Sequence, residues 1–477
     1  MKKHAKYFVA FSLLLTAFSA LGQQNFTLYT MPYVQQRIQS NPALVPKAKI
    51  HIGLPLISSI YMSYGNSGFK YSDLVFKGSD DSLHLDFENM ISKLKKKNYI
   101  SGSFQLDLLT FGMMLKDQHY VNLNVSERFL GRARYPKDFF EFAWYGNYPT
   151  IGETLNFNFG LDVVHYREFG IGYAHVTDES KWKIGGKFKY INAIGGFETE
   201  KFDILLHTDP DDVFTFTASG DIEINVAGFE EREVEFIDDN GDTQTDTIFA
   251  PSFGNYPFSF YKNHGMGIDI GAEYNVMDKL HVNASIIDMG FIRWKDKVHN
   301  FKSVTPGKEF KYRGLPLNEY LKDGDSTFYD GMDALTDSLA KTFEVAVTNE
   351  PYTTKLSSQY HLGVTYDLSS DQQVGGHFYW HFFDGRWFPG ASLYYDKEFG
   401  DWCTIAVSYT LYNRSWSNIG LGARINGGPV QFYIVSDNII APFFPEDTKY
   451  SNLRVGINIT LGNPNKKKEK AEAPRIE

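Results

Sequence analysis

The chain has 477 residues, a net charge of −10, a single cysteine and 16% aromatic residues, of which 40 are Phe, 30 Tyr and 7 Trp. A mean hydropathy of −0.32 argues against several membrane helices, each of which needs a run of about 18 or more apolar residues. One cysteine excludes a disulfide scaffold, the acidic balance argues against a nucleic-acid binder, and the wealth of Tyr and Phe argues against disorder. A large globular protein or a transmembrane β-barrel remains. A barrel places apolar residues at every second position, which keeps its mean hydropathy low.

The amino terminus reads as a secretory signal peptide. Lys2, Lys3 and Lys6 form a positive start, and Tyr7 to Ala17 an apolar core too short to span a bilayer. Ala20-Leu21-Gly22 supplies the small residues of a cleavage site, so residues 1–22 are expected to be removed after Gly22. Loss of the three lysines takes the net charge from −10 to −13. No cysteine stands at the cleavage site, which excludes a lipoprotein anchor. Residues 23–47 hold Asn41-Pro42-Ala43 and Pro46 and are not a strand. They read either as a plug folded into a barrel or as a flexible leader.

From residue 48 to 462 the dominant period is two, the signature of strands. In 181–190, Trp182, Ile184, Phe188 and Tyr190 oppose Lys181, Lys183, Lys187 and Lys189. In 212–228 the apolar face runs from Phe214 to Val226 against Asp221, Glu223 and their neighbours. In 266–276, Met266, Ile268, Ile270 and Val276 oppose Asp269 and Glu273. The segments 360–368 and 450–461 alternate likewise, the last with Arg454 on its polar face. Cys403 falls in phase with Ile405, Val407 and Tyr409 and reads as a small apolar surface position.

Alternation suits a soluble sandwich as well as a barrel. Length and connections separate them. Many segments run past the five or six residues usual in globular strands and match the roughly 9–11 of a tilted membrane strand. Counting gives sixteen candidate strands, with 181–194 and 197–207 taken as separate and 212–228 as a full strand. Short connections, including 178–180, 208–211, 278–279 and 370–371, fall on one side. The long ones at 65–99, 129–165, 229–264, 295–356 and 438–449 fall on the other. That sorting is the outer-membrane rule of short periplasmic turns and long external loops. Residues 463–477 are charged and are expected to form a disordered periplasmic tail.

The chain resembles a domain-of-unknown-function family of Gram-negative outer-membrane barrels, distantly related to FadL-like long-chain fatty-acid transporters. The resemblance is carried by Asn41-Pro42-Ala43, by Pro136 to Glu141 leading to Trp144-Tyr145-Gly146-Asn147, by Asp288 to Trp294, by Asn349 to Thr354, and by Ser436-Asp437-Asn438. It implies an all-β antiparallel barrel of about 14 strands with an amino-terminal plug, and it favours that number over the counted sixteen. No substrate-binding residue carries over.

Candidate chemistry is sparse. Asp238, Asn240 and Asp242 place oxygens at alternate loop positions, as calcium requires. Thr243 and Phe249 stand where the calcium loop needs Gly and Glu, so a solvated acidic loop is the simpler reading. His361 is expected nearly opposite His381 across a tight turn, which suggests either a two-histidine metal site or polar lumen packing. Lys181, Lys183, Lys187, Lys189, Asp221, Glu223, Asp269, Glu273, Arg424 and Arg454 are expected to face the lumen, either pairing across it or lining an anion path. Phe378, Trp380, Phe382, Trp387 and Phe388 read as an aromatic girdle, and Gly331 to Val345 as a helical pore cap.

No nucleophile elbow, zincin motif or phosphate loop is present, so no enzyme activity and no cofactor are implied. The expected partners are outer-membrane lipid, the barrel-assembly machinery during insertion, and either a hydrophobic small-molecule solute or a surface or periplasmic protein; nucleic acid is excluded. Two functions follow: passive transport of a hydrophobic or small solute past the plug, or a closed barrel serving as an assembly platform through its long loops.

Overall fold

The computed structural model describes residues 25–177, 181–237, 243–252, 260–312, 342–383 and 386–462. Asp238, Asn240 and Asp242, the leader, the carboxyl-terminal tail and most of the expected pore cap lie outside these residues. Among the described residues no helix is long and apolar enough to cross a membrane.

Strands present both faces and leave unpaired N–H and C=O groups at their edges, so a sheet in hydrocarbon must close on itself. This one closes with fourteen antiparallel strands. The first wall position, β1, is split into Ile50–Gly53 and Ile60–Asn66. Then come β2 (Lys97–Leu115), β3 (His119–Pro136), β4 (Gly160–Val176) and β5 (Trp182–Thr208). β6 (Asn263–Met277), β7 (Leu280–Trp294), β8 (Gln359–Ser369), β9 (Gln372–Phe383) and β10 (Arg386–Phe399) follow. β11 (Cys403–Tyr412), β12 (Ser415–Gly427), β13 (Val430–Ser436) and β14 (Tyr450–Leu461) complete the wall.

Both halves of β1 pair with β2 on one side and β14 on the other, which seals the cylinder. The break in β1 falls at Pro55, which has no N–H to give the ladder. Leu54 N still reaches Ile457 O at 3.3 Å and Ile457 N reaches Ile57 O at 2.8 Å, so the wall stays continuous there.

Fourteen replaces the counted sixteen because one pair of segments is a single strand and a third segment does not cross. The segments 181–194 and 197–207 are a single strand of 27 residues, β5. The Gly195-Gly196 pair does not end it, because both glycines keep their antiparallel partners on β4. The lower half of β5 pairs with β6, and its upper half pairs with Phe216–Ala227. That segment, the most regular alternation in the sequence, therefore does not cross the membrane. It extends the wall at the loop end, beside Val298–Ser303 and Glu309–Tyr312. The connection at 208–211 lies at the loop end, not among the short turns.

The outward face carries the expected belt. Trp182, Ile184, Phe188, Met266, Ile268, Ile270, Leu362, Val364, Ile405 and Val407 are all exposed. Apolar side chains standing in a band around a closed sheet have hydrocarbon as their partner. The belt gives way on β5 by Lys201, which is exposed and charged. Cys403 keeps the outward phase but is buried, between strand partners Phe399 and Ile425, and so is not a surface position. Phe378, Phe382 and Trp387 face out as a girdle would. Phe388 points inward instead, 5.4 Å from Tyr99 between ring centroids.

Candidate functional site: a plugged lumen and the cavity above it

The lumen is filled in three layers. The lowest is the amino-terminal segment, whose residues 25–48 are almost all buried inside the barrel. It opens with a one-turn helix, α1 (Phe26–Thr30), continues through a 3-10 turn at Gln35–Gln39, and ends in a turn over Asn41-Pro42-Ala43. A helix start leaves backbone N–H groups without partners. Here the Asp437 carboxylate, at the end of β13, accepts from Thr27 N at 2.7 Å and Phe26 N at 3.2 Å. Asn452 Nδ2 donates to the same carboxylate at 2.6 Å.

Polar side chains fix the rest of the segment. Thr30 Oγ1 donates to Asp396 at 2.9 Å, Lys47 Nζ to Glu398 at 2.6 Å, and Gln39 Nε2 to Asp107 at 3.0 Å. Arg454 Nη1 donates to Gln39 Oε1 at 3.2 Å, and Ser285 Oγ to the Ser40 carbonyl at 2.6 Å. Asn41 Oδ1 accepts from Ala43 N at 2.9 Å, which shapes the local turn.

The wall is cut to receive this segment. A Cβ on Gly185 would lie 2.4 Å from the Pro42 carbonyl oxygen, and one on Gly271 would lie 2.0 Å from Asn41 Oδ1. Gly390 and Gly422 make the same room for Phe26 and Met31. The alternative of a flexible leader is therefore replaced by a seated plug.

The second layer is a charge cluster across mid-lumen. Lys189 reaches Asp269 at 2.7 Å and also Asp288; Lys187 reaches Glu168 at 2.8 Å; Arg128 reaches Glu168 at 3.0 Å and Asp288 at 3.3 Å. All six are buried. Three cations face three carboxylates, which is what removal of so many charges from water demands. Asp288 holds a left-handed backbone, φ 59°, at a bulge where the pairing of β6 with β7 slips. Its N–H donates to Asp269 Oδ1 at 2.8 Å.

The third layer is a cavity of about 770 Å³ between this charged floor and the loop end. Leu130, Val164, Tyr166, Ile292 and Leu356 supply apolar wall, and Arg132 and Glu198 supply charge. The Arg132 guanidinium lies 3.6 Å from the Phe383 ring centroid. The Trp294 indole N–H donates to Thr354 Oγ1 at 2.9 Å, and that hydroxyl donates to Glu198. Glu198 sits above the apolar belt. Burial, reinforced by Glu200 and Asp162, pushes its carboxyl up to about 7, against the hydrogen bond from Thr354.

The expected lumen residues divide accordingly. Lys187, Lys189 and Asp269 are in the charge cluster; Lys183 and Glu273 pair below it at 2.5 Å; Arg424 and Arg454 are buried beside the plug. Arg424 stacks over the Tyr33 ring at 4.2 Å. Lys181 lies outside, exposed just before β5 begins. Asp221 and Glu223 are also outside the membrane-spanning lumen: they sit on the loop-end extension and pair with Lys201 and with Lys302.

His361 does not oppose His381. The register places His361 against Tyr379 and Gln359 against His381. His361 Nδ1 instead meets His377 Nε2 at 3.0 Å. Among the described residues no group of three or more His, Cys, Asp or Glu is arranged to hold a metal.

Arg128, Glu168, Asp288, Arg132 and Glu198 escaped the sequence reading as site residues. Arg128 continues the polar phase of Asn122, Asn124 and Ser126 and was findable. Asp288 was not, because its bulge switches which parity faces inward along β7.

Compared with curated proteins by sequence, the chain matches none. Among solved structures it is similar to the toluene transporter TbuX of Ralstonia pickettii, at 9% identity over 93% of this chain and 97% of that one, with a TM-score of 0.42. It is also similar to a FadL homologue of Pseudomonas aeruginosa, at 10% identity over 91% and 96%, TM-score 0.41. A third is the toluene transporter TodX of Pseudomonas putida, at 10% identity over 89% and 93%, TM-score 0.36. Residues 42–437, from the plug turn to the Asp437 that caps α1, match one family model, and the chain belongs to that family of unknown function, DUF5723.

Proposed function

We propose that this barrel is a gated conduit of the bacterial outer membrane, exported by its leader, with its long loops facing out. It admits a small amphipathic solute into the loop-end cavity and passes it inward when the plug shifts. The observation that carries this reading is the arrangement of the lumen: a 770 Å³ cavity with both apolar and charged walls, above a neutralised floor and a separable plug. A ligand pocket has that size, and apolar lining beside placed polar groups suits an amphipathic solute. A wall carved by glycines for the plug supports a segment that seats and unseats as a unit.

The test is flux. Full-length protein and a variant lacking residues 23–47 are reconstituted into liposomes after both show the heat-modifiable mobility of a folded barrel. The deletion should raise uptake of small uncharged sugars by swelling assay, and unchanged uptake overturns the conduit. A stable protein partner recovered with the full chain, with no conductance from either form, favours the closed assembly platform in its place.

A further inference from the structure

The wall has a notch. β13 is seven residues long, whereas its neighbours β12 and β14 have 13 and 12. Above Ser436 the chain turns inward at Asp437 to cap α1, so β12 and β14 have no strand between them there. Ile439 crosses the gap, its N–H donating to the Ile419 carbonyl at 2.8 Å. Outside lies a groove of about 450 Å³ lined by Met62, Leu421, Ile434, Ile439, Pro442 and Leu453. Four of these, Met62, Leu421, Ile434 and Leu453, are exposed members of the outward belt, so the groove is continuous with the lipid-facing surface.

Its upper rim is aromatic, then cationic. Trp416, Phe443 and Phe444 are strongly exposed, as interface aromatics are. Lys449 shares the outward phase of Ser451 and Leu453, two residues above the groove. Its Nζ donates to the Gly68 carbonyl at 2.9 Å and Arg414 Nη1 donates to the adjacent Ser67 carbonyl at 3.1 Å, so the two cations stand side by side with Lys70 close along the chain. Partial burial and the positive field of Arg414, Lys70 and Lys93 press the Lys449 ammonium below the usual lysine range, with Asp73 opposing. Two further carboxylates, Glu446 and Asp447, stand on the turn before Lys449, Asp447 3.6 Å from Lys70. Four cations against these three carboxylates leave a positive rim directly over an apolar slot.

We propose that the notch holds an acyl chain of a phosphate-bearing membrane lipid, whose anionic headgroup rests on Lys449, Arg414, Lys70 and Lys93. Apolar continuity with the belt selects a lipid tail. The rim charge selects an anionic head, since juxtamembrane cations gain from anionic lipid where a zwitterionic one offers little. This inference does not depend on solute transport.

The test uses native mass spectrometry of the full chain in detergent, with lipid A as one probe and phosphatidylcholine as the other. Lipid A adducts should survive activation that strips phosphatidylcholine. The double variant K449Q/R414Q should lower lipid A retention about tenfold or more, and S451W, which fills the slot, should lower it as well. If K449Q/R414Q does not give a heat-modifiable barrel, K70Q/K93Q replaces it. Equal retention of the two lipids by the unmodified chain overturns the proposal, as does retention unmoved by the variants. Dimers that persist while neither lipid is held assign the notch to a second copy and likewise overturn it.

Discussion

The ring of Tyr29 in the plug lies flat on the imidazole of His377 in the wall, 3.9 Å between centroids and 8° between planes. The Tyr29 hydroxyl donates to Asn283 Oδ1, and His377 is held in turn by His361. One aromatic residue thus ties the plug to β7, β8 and β9 at once. Truncation to Tyr29→Ala should loosen the plug by about 3–5 kcal/mol, whereas Tyr29→Phe, which keeps the stack, should cost about 1 kcal/mol. Planar-bilayer recordings should show frequent openings for the first and near-silence for the second. Equal behaviour of the two would show that the stack does not hold the plug.

The glycine cradle gives a sharper test, because it changes the wall and leaves the plug intact. At Gly185 an added methyl meets the backbone of Pro42, which cannot rotate aside. Gly185→Ala should displace the plug and expose it to limited proteolysis while the barrel remains heat-modifiable. Gly427 has open space around its would-be Cβ, and Gly427→Ala should be indistinguishable from the unmodified chain.

The mid-lumen cluster is balanced charge for charge, so a single neutralisation has a definite sign. Asp288→Asn keeps a residue type that tolerates the left-handed backbone and leaves one cation in excess. Breaking a buried pair from one side costs about 3–5 kcal/mol, so a lower unfolding midpoint is expected. In the background lacking residues 23–47, reversal potentials across a KCl gradient should shift toward chloride. A shift toward potassium would contradict the assignment of these charges to the conducting path.

Glu198 makes the loop-end cavity responsive to pH. Its carboxyl is raised from 4.5 to about 7 in the folded chain. Between those values the folded form keeps a proton that the unfolded form has lost, so this group lowers stability as pH rises through that window. Urea midpoints should fall from pH 5 to pH 7 more steeply for the unmodified protein than for Glu198→Gln. Parallel slopes would mean that Glu198 titrates normally.

Much of this architecture was legible in the sequence. Strict alternation at Trp182 to Tyr190 and at Met266 to Ile270 gave the wall and its outward face, since in a closed sheet parity has direct physical meaning. The plug was legible as a segment that could not be a strand. Where parity misled, a local backbone event was responsible. Gly195-Gly196 resembled a turn but was paired through, which made one strand look like two. The bulge at Asp288 reversed the inward phase, which hid the place of Asp288 in the charge cluster and the burial of Trp294. The most regular run, Phe216 to Ala227, sits outside the membrane because period two reports a two-faced sheet, whatever solvent lies beyond it.

The carboxylate of Asp437 that caps α1 has a consequence for biogenesis. Phe26 and Thr27 are made early in synthesis, and Asp437 and Asn452 come more than 400 residues later. The cap of α1 is therefore missing until the final strands are in place, and those same strands join β1 to close the cylinder. Seating the plug and sealing the wall become one event, late in assembly. A chain that stalls before β13 is both unsealed and without the cap of its plug helix.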